Sequence, residues 1–172
     1  MSDYISEVKA QLKNWKVALL VIVFTVARII YGYNWIKAGV HKLAWLTDGK
    51  LNSKGLISGM VGNLAGAAND PLGINNFYGW VANNLFVNMM PGLTDIMVVI
   101  FEIGIGVVAI LGFKVFWGAL VAIFMNLQFM AAGSFNNFGY IWTDLALLKF
   151  AKYAELIGLS GYLNFKKNKK LV

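Results

Sequence analysis

Four ionisable or amide side chains stand inside stretches that are otherwise apolar: Arg28, Glu102, Asn126 and Asp144, with Gln128 beside the third. Arginine stays charged and presents a planar fork that fits a carboxylate or an oxyanion. A carboxylic acid away from water can hold or pass a proton, and an amide can donate and accept. In lipid a charged side chain at mid-depth costs ~2.5–3.5 kcal/mol on insertion scales, so these groups are expected to face a protein interior and pair. The expected contact is Arg28 with Glu102 or with Asp144, and these three are the candidate catalytic residues.

Depth counting brings them together. Arg28 stands about twelve residues past Lys16, or ~18 Å at a helical rise of about 1.5 Å per residue. Glu102 stands about eight residues past Thr94, or ~12 Å by the same rise. Across a core of about 30 Å, entered from opposite sides, the two levels coincide. Asn126 reaches a similar level, Asp144 one slightly further out, and Gln128 points roughly opposite Asn126. On a helical wheel Arg28, Gly32, Trp35, Gly39 and Lys42 share one stripe, whose small residues let a neighbouring helix approach. Trp35, Asn126, Lys42 and His41 are therefore the candidate substrate-binding residues. His41 is the sole histidine and cannot build a bis-histidine haem site; beside Lys42 and Trp45 it also reads as interfacial filler.

These groups need elements to carry them. Of 172 residues, 59% are hydrophobic and 13% charged, against about a quarter charged in a soluble domain. The composition predicts an all-α integral membrane protein, one transmembrane domain spanning 1–172, with the lipid bilayer as its solvent. The net charge of +7 is concentrated in lysines at the two ends, such as Lys9, Lys13, Lys16, Lys166 and Lys167. That pattern marks a cytoplasmic side and attracts anionic lipid; it does not point to nucleic acid. The absence of cysteine excludes disulfide exchange, thiolate catalysis, iron–sulfur clusters and cysteine-based zinc sites.

Four spans are predicted, over about 16–46, 94–113, 115–132 and 140–159. The outer loop 47–93 is expected to be turn-rich from Thr47 to Asp70, with a break at Asp70-Pro71. An amphipathic helix over about 74–90 then presents Phe77, Trp80, Val81, Leu85 and Met89 on one side and lies along the outer surface. A polar turn is expected over Gly133 to Gly139. Four crossings place both termini in the cytoplasm of a cell-membrane, multi-pass protein, with Lys114 in the inner turn.

The run Arg28, Gly32, Trp35, Gly39, Lys42 resembles the first-helix signature of the DoxX family, which includes the small membrane subunit of thiosulfate:quinone oxidoreductase. Glu102 followed by Gly104, Gly106 and Leu111-Gly112 is similar to that family's second helix, and Met125 to Ser134 to its third. The resemblance covers about residues 25–148; Asn136-Asn137-Phe138 departs from the Asn-Pro usual before the fourth helix.

The resemblance implies a subunit of a redox complex passing electrons from a sulfur compound such as thiosulfate to quinone, with no covalently bound cofactor and a second subunit or soluble redox partner. Two other readings stay open: a scaffold recruiting a soluble partner, its polar cluster purely structural, and a small-solute transporter. A homodimer is compatible with so small a bundle.

Overall fold

The computed structural model describes residues 2–65, 74–131, 137–168 and 171. Among them the chain is predominantly helical, without strands. Helix α1 (Ser2–Leu12) leads in, and Asn14 caps α2 (Trp15–His41) by accepting the Lys16 backbone N–H at 3.1 Å. At 27 residues, α2 is ~40 Å long. It ends at His41, short of the predicted 46, and a 3-10 turn follows over Leu43–Leu46.

The Thr47–Asp70 stretch departs from expectation. Its glycines and asparagines argue for turns, yet Lys54–Ala65 is a helix, α3, burying Ile57 and Met60 against Ala82. The three-residue spacing of Ile57 and Met60 signals a helical face that the composition conceals. Asp95, 1% exposed, starts this helix by accepting the backbone N–H groups of Asn52 (2.8 Å) and Ser53 (2.9 Å). Just before it, Asp48 accepts the Lys50 N–H and the Asn52 amide, which hold its carboxyl below the usual range.

Helix α4 (Ile74–Val81) widens into a π-helix over Ala82–Met89. The helix predicted over 74–90 is therefore present. Of its predicted stripe Phe77, Trp80 and Met89 face outward, each more than 60% exposed, and Val81 and Leu85 are half-buried, while Tyr78, Ala82 and Phe86 turn towards α3. The break at Asp70-Pro71 lies outside the described residues, as does most of the turn Gly133–Gly139.

Helix α5 (Pro91–Leu111) has proline in its first turn and closes on Gly112, whose φ of 61° is left-handed, the conformation glycine adopts without strain. Helix α6 (Val115–Ala131) follows after the three-residue turn Gly112, Phe113, Lys114. The predicted last span is broken at Phe150 into α7 (Phe138–Lys149) and α8 (Ala151–Leu156), and an unanticipated α9 (Leu159–Asn168) returns to α1, where Tyr4 meets Tyr162 edge-on.

Helices α2, α5, α6 and the α7–α8 rod pack side by side, α2 against α5 and α8, and α6 against α5 and α7. The α2–α5 contact is backbone to backbone: a Cβ at Gly106 would lie 2.6 Å from the Gly32 carbonyl oxygen and 2.8 Å from the Ile36 nitrogen. The core between the helices holds Tyr31, Trp35, Ile105, Ala109, Ala122 and Leu147. Outside it, Ile22, Ile30, Ile100 and Trp117 are more than half exposed, a belt a water-soluble monomer would not present. Two helices, Trp15–His41 and Gly92–Leu111, are long and apolar enough to cross a membrane, with mean hydropathy 1.8 and 2.3.

Candidate functional site

Lys42 is the residue on which α2 ends. Its ammonium sits 2.7 Å from both carboxylate oxygens of Glu102 on α5, 3.5 Å from the Ala38 carbonyl, and 5.8 Å from the Trp45 ring centre. The helix C-terminus favours a cation there. Gly39 makes this approach feasible: a Cβ on it would lie 3.2 Å from that of Glu102. Glu102 is 1% exposed, and the Lys42 side chain 23%, so the pair is buried on one side and accessible on the other.

A second polar cluster lies between α2, α6 and α7. Asp144, 0% exposed, accepts the Tyr31 hydroxyl and, at 2.8 Å, the Asn126 amide. The Asn126 oxygen in turn accepts the Asn137 amide at 2.9 Å. The polar partners of Asp144 found among the described residues are neutral.

Arg28 belongs to neither cluster, and the expected contact with Glu102 or Asp144 is not formed. Its guanidinium donates from Nε to the Ala154 carbonyl (2.8 Å), from Nη1 to those of Ala109 (2.6 Å) and Ile110, and from Nη2 to that of Ile157 (2.7 Å). These carbonyls end α5 and α8, where helices run out of intrahelical donors and carry partial negative charge. Gly112 and Gly158 meet there, and a Cβ on Gly112 would lie 2.8 Å from the guanidinium carbon. Depth counting misplaces Arg28 because a long side chain on a helix reaches back towards its N-terminus, here down to the turn after α5.

A cavity of about 310 Å³ opens beside the ion pair, lined by Asn34, Trp35, Ala38, Lys42, Leu56, Glu102, Asn126, Phe129, Asn137 and Tyr140. Four predicted residues therefore meet at one site: Trp35, Lys42, Glu102 and Asn126. Asp144 stands behind Asn126, Arg28 is at the far end of α5, and His41 is exposed on the end of α2 and does not line the cavity. Asn34, Asn137 and Tyr140 are cavity residues that sequence reasoning missed. It also missed the role of Tyr31, although Tyr31 lies one turn before Trp35 on the same stripe.

The indole N–H of Trp35, a residue 6% exposed, reaches the Tyr31 hydroxyl, which itself donates to Asp144. Lys42 is neutralised by Glu102, so the cavity offers hydrogen bonds without net positive charge. Among the described residues no three His, Cys, Asp or Glu side chains come together as they would to hold a metal ion. Compared with known proteins, the chain matches no family model, and neither a curated protein nor a solved structure is similar to it.

Proposed function

We propose that the chain is a multi-pass cell-membrane protein whose polar cavity binds the head of a quinone, as the small membrane subunit of a DoxX-like redox complex. In this reading α2, α5, α6 and the α7–α8 rod each cross the bilayer, with both termini cytoplasmic. The outward stripe of Phe77, Trp80 and Met89 on α4 and its π-helical extension then faces the outer interface. Their exposure, above 60% each, suits aromatic and thioether groups at a lipid surface better than at water.

The observation that carries the ligand class is a polar cavity whose lysine is neutralised: Glu102 holds Lys42, and Asn34, Asn126, Asn137 and Tyr140 bring amides and a hydroxyl to the wall. Amides and hydroxyls can donate to carbonyl oxygens, and a neutral ligand needs no spare cation. An oxyanion such as thiosulfate fits less well, because Arg28 is taken up by four carbonyls and Lys42 by Glu102. A partner subunit would handle the sulfur compound and exchange electrons with the quinone. Glu102 with Lys42 stands on one side of the cavity, where the carboxyl can exchange a proton with a bound oxygen, and Asn126, held by Asp144, stands on the other as a hydrogen-bond partner.

The test is quinone binding by the purified chain in lipid nanodiscs. Asn34→Leu removes an amide from the cavity wall at similar volume, and should weaken binding about tenfold, the worth of one lost hydrogen bond. Unchanged affinity in Asn34→Leu and in Glu102→Gln, with both variants folded, rejects the assignment. The scaffold reading draws on Arg28, whose contacts are wholly structural; it expects these variants to lose stability while an assembled complex keeps full activity.

A further inference from the structure

Two lysines stand where the α7–α8 rod breaks. Lys149 ends α7 and Lys152 lies in the first turn of α8, with Phe150 between the two helices. Both lysines are exposed, and neither pairs with a carboxylate among the described residues. Glu155, the next acid along the chain, is engaged on α6, where it accepts the Phe116 backbone N–H at 3.4 Å. The ammonium of Lys149 sits 5.7 Å from the Phe150 ring centre, and that of Lys152 4.9 Å from the Tyr153 ring centre. The two rings meet at 6.3 Å, and Phe24 of α2 holds Phe150 in place by stacking on it at 4.5 Å. Two cations thus border one aromatic platform. One turn before Lys149, Leu145 is 44% exposed, so this side of the rod faces out of the bundle, and neither lysine lines the polar cavity.

With the rod crossing the bilayer and Leu156 at its inner end, Lys152 lies four residues and Lys149 seven residues before that end, or ~6 and ~10 Å deep at the helical rise. At such depths an ammonium without an anion is costly. The last carbonyls of α7 favour Lys149, and the ring contacts favour both, but these recover only part of that cost. From this placement we infer that the break binds one anionic phospholipid of the inner leaflet. Its phosphate oxygens accept from Lys149 and Lys152, its glycerol lies over Phe150 and Tyr153, and its chains run along the Leu145 side of the rod. The inference rests on the reading that the rod crosses the bilayer, and it is independent of what the cavity binds. A zwitterionic headgroup would bring a third cation against the two lysines, so the site selects net negative charge. A soluble anion would leave the apolar side of the platform uncovered.

The experiment titrates the full chain in dodecyl maltoside micelles with phosphatidylglycerol or phosphatidylcholine and counts bound lipids by native mass spectrometry. Wild type should hold its first phosphatidylglycerol about 30-fold more tightly than its first phosphatidylcholine, two lysines at about 1 kcal/mol each. Lys149→Gln/Lys152→Gln should reduce that preference to about twofold or less, and arginine at both positions should keep it. Should the double glutamine variant fail to fold, the single ones decide, each expected to lose about fivefold. Lys166→Gln/Lys167→Gln removes the same charge from α9 and should cost less than about threefold. An equal loss there makes the preference one of net charge and overturns the site. So does a wild-type chain without preference, the behaviour of lysines that only reach for water. Displacement of the lipid by inorganic phosphate overturns the lipid as occupant. Alkaline carbonate washing of membranes tests the premise separately. A chain released by it rejects the bilayer crossing, and this inference with it; a chain retained but without preference rejects the inference alone.

Discussion

The partner of Glu102 decides how this bundle is held together, and two double-mutant cycles measure it. Glu102 is 1% exposed and bonded to Lys42 through both oxygens at 2.7 Å. Lys42→Met leaves a buried carboxylate without its cation and should cost about 3 kcal/mol, the low end for breaking a buried pair because one side meets the cavity. Glu102→Gln should cost only about 1 kcal/mol, since the amide still accepts and the partly exposed ammonium can turn to water. The double variant leaves no stranded charge, so the cycle should return a coupling of about 2 kcal/mol. Arg28→Met strands four carbonyls at two helix ends and should itself cost about 3–4 kcal/mol. Its cycle with Glu102 should nevertheless close within about 0.5 kcal/mol, because Glu102 and the Ala109–Ile110 carbonyls are ~11 Å apart along α5. Unfolding free energies come from titrating dodecyl sulfate into dodecyl maltoside micelles while following helicity by circular dichroism. A coupling above about 1.5 kcal/mol between Arg28 and Glu102, with Lys42 and Glu102 near zero, would refute the observed pairing.

Gly106→Ala pushes a methyl into the Gly32 carbonyl and the Ile36 backbone and should cost about 2–3 kcal/mol by the same titration. Gly104→Ala on the same helix meets nothing within 4 Å and should be neutral or stabilising by up to about 1 kcal/mol. Asp95→Ala removes the acceptor of two backbone N–H groups before α3; about 2 kcal/mol should be lost, with faster proteolysis between Leu51 and Ala65, and Asp95→Asn should lie between. Because the chain has no cysteine, single replacements report sidedness cleanly. With an impermeant maleimide on intact cells, Lys50→Cys should label and Lys114→Cys only after permeabilisation; labelling of both from one side would contradict the crossing of the bilayer by α5.

Hydropathy made the long helices legible, since α2, α5 and α6 are apolar runs with recognisable ends at Asn14, Pro91 and Gly112. It failed where composition and packing disagree. Lys54–Ala65 carries three glycines and an asparagine, yet two buried side chains one turn apart suffice to dock it on the α4 region. The break at Phe150 has no proline or glycine to announce it; it becomes visible only once Phe24 stacks on that ring at 4.5 Å. At the site, residue types were legible and partners were not. Matching Arg28 to a carboxylate treats side chains as the sole anions inside lipid. Helix ends are anionic too, and α5 and α8 finish side by side where Gly112 meets Gly158, offering an arginine fork more acceptors than one carboxylate could. With Arg28 engaged there, Lys42 is left for Glu102, and Asp144 is left with Tyr31 and Asn126. The chemical asymmetry of the cavity, an ion pair on one wall and an acid held by neutral donors behind the other, is therefore a consequence of where two helices stop.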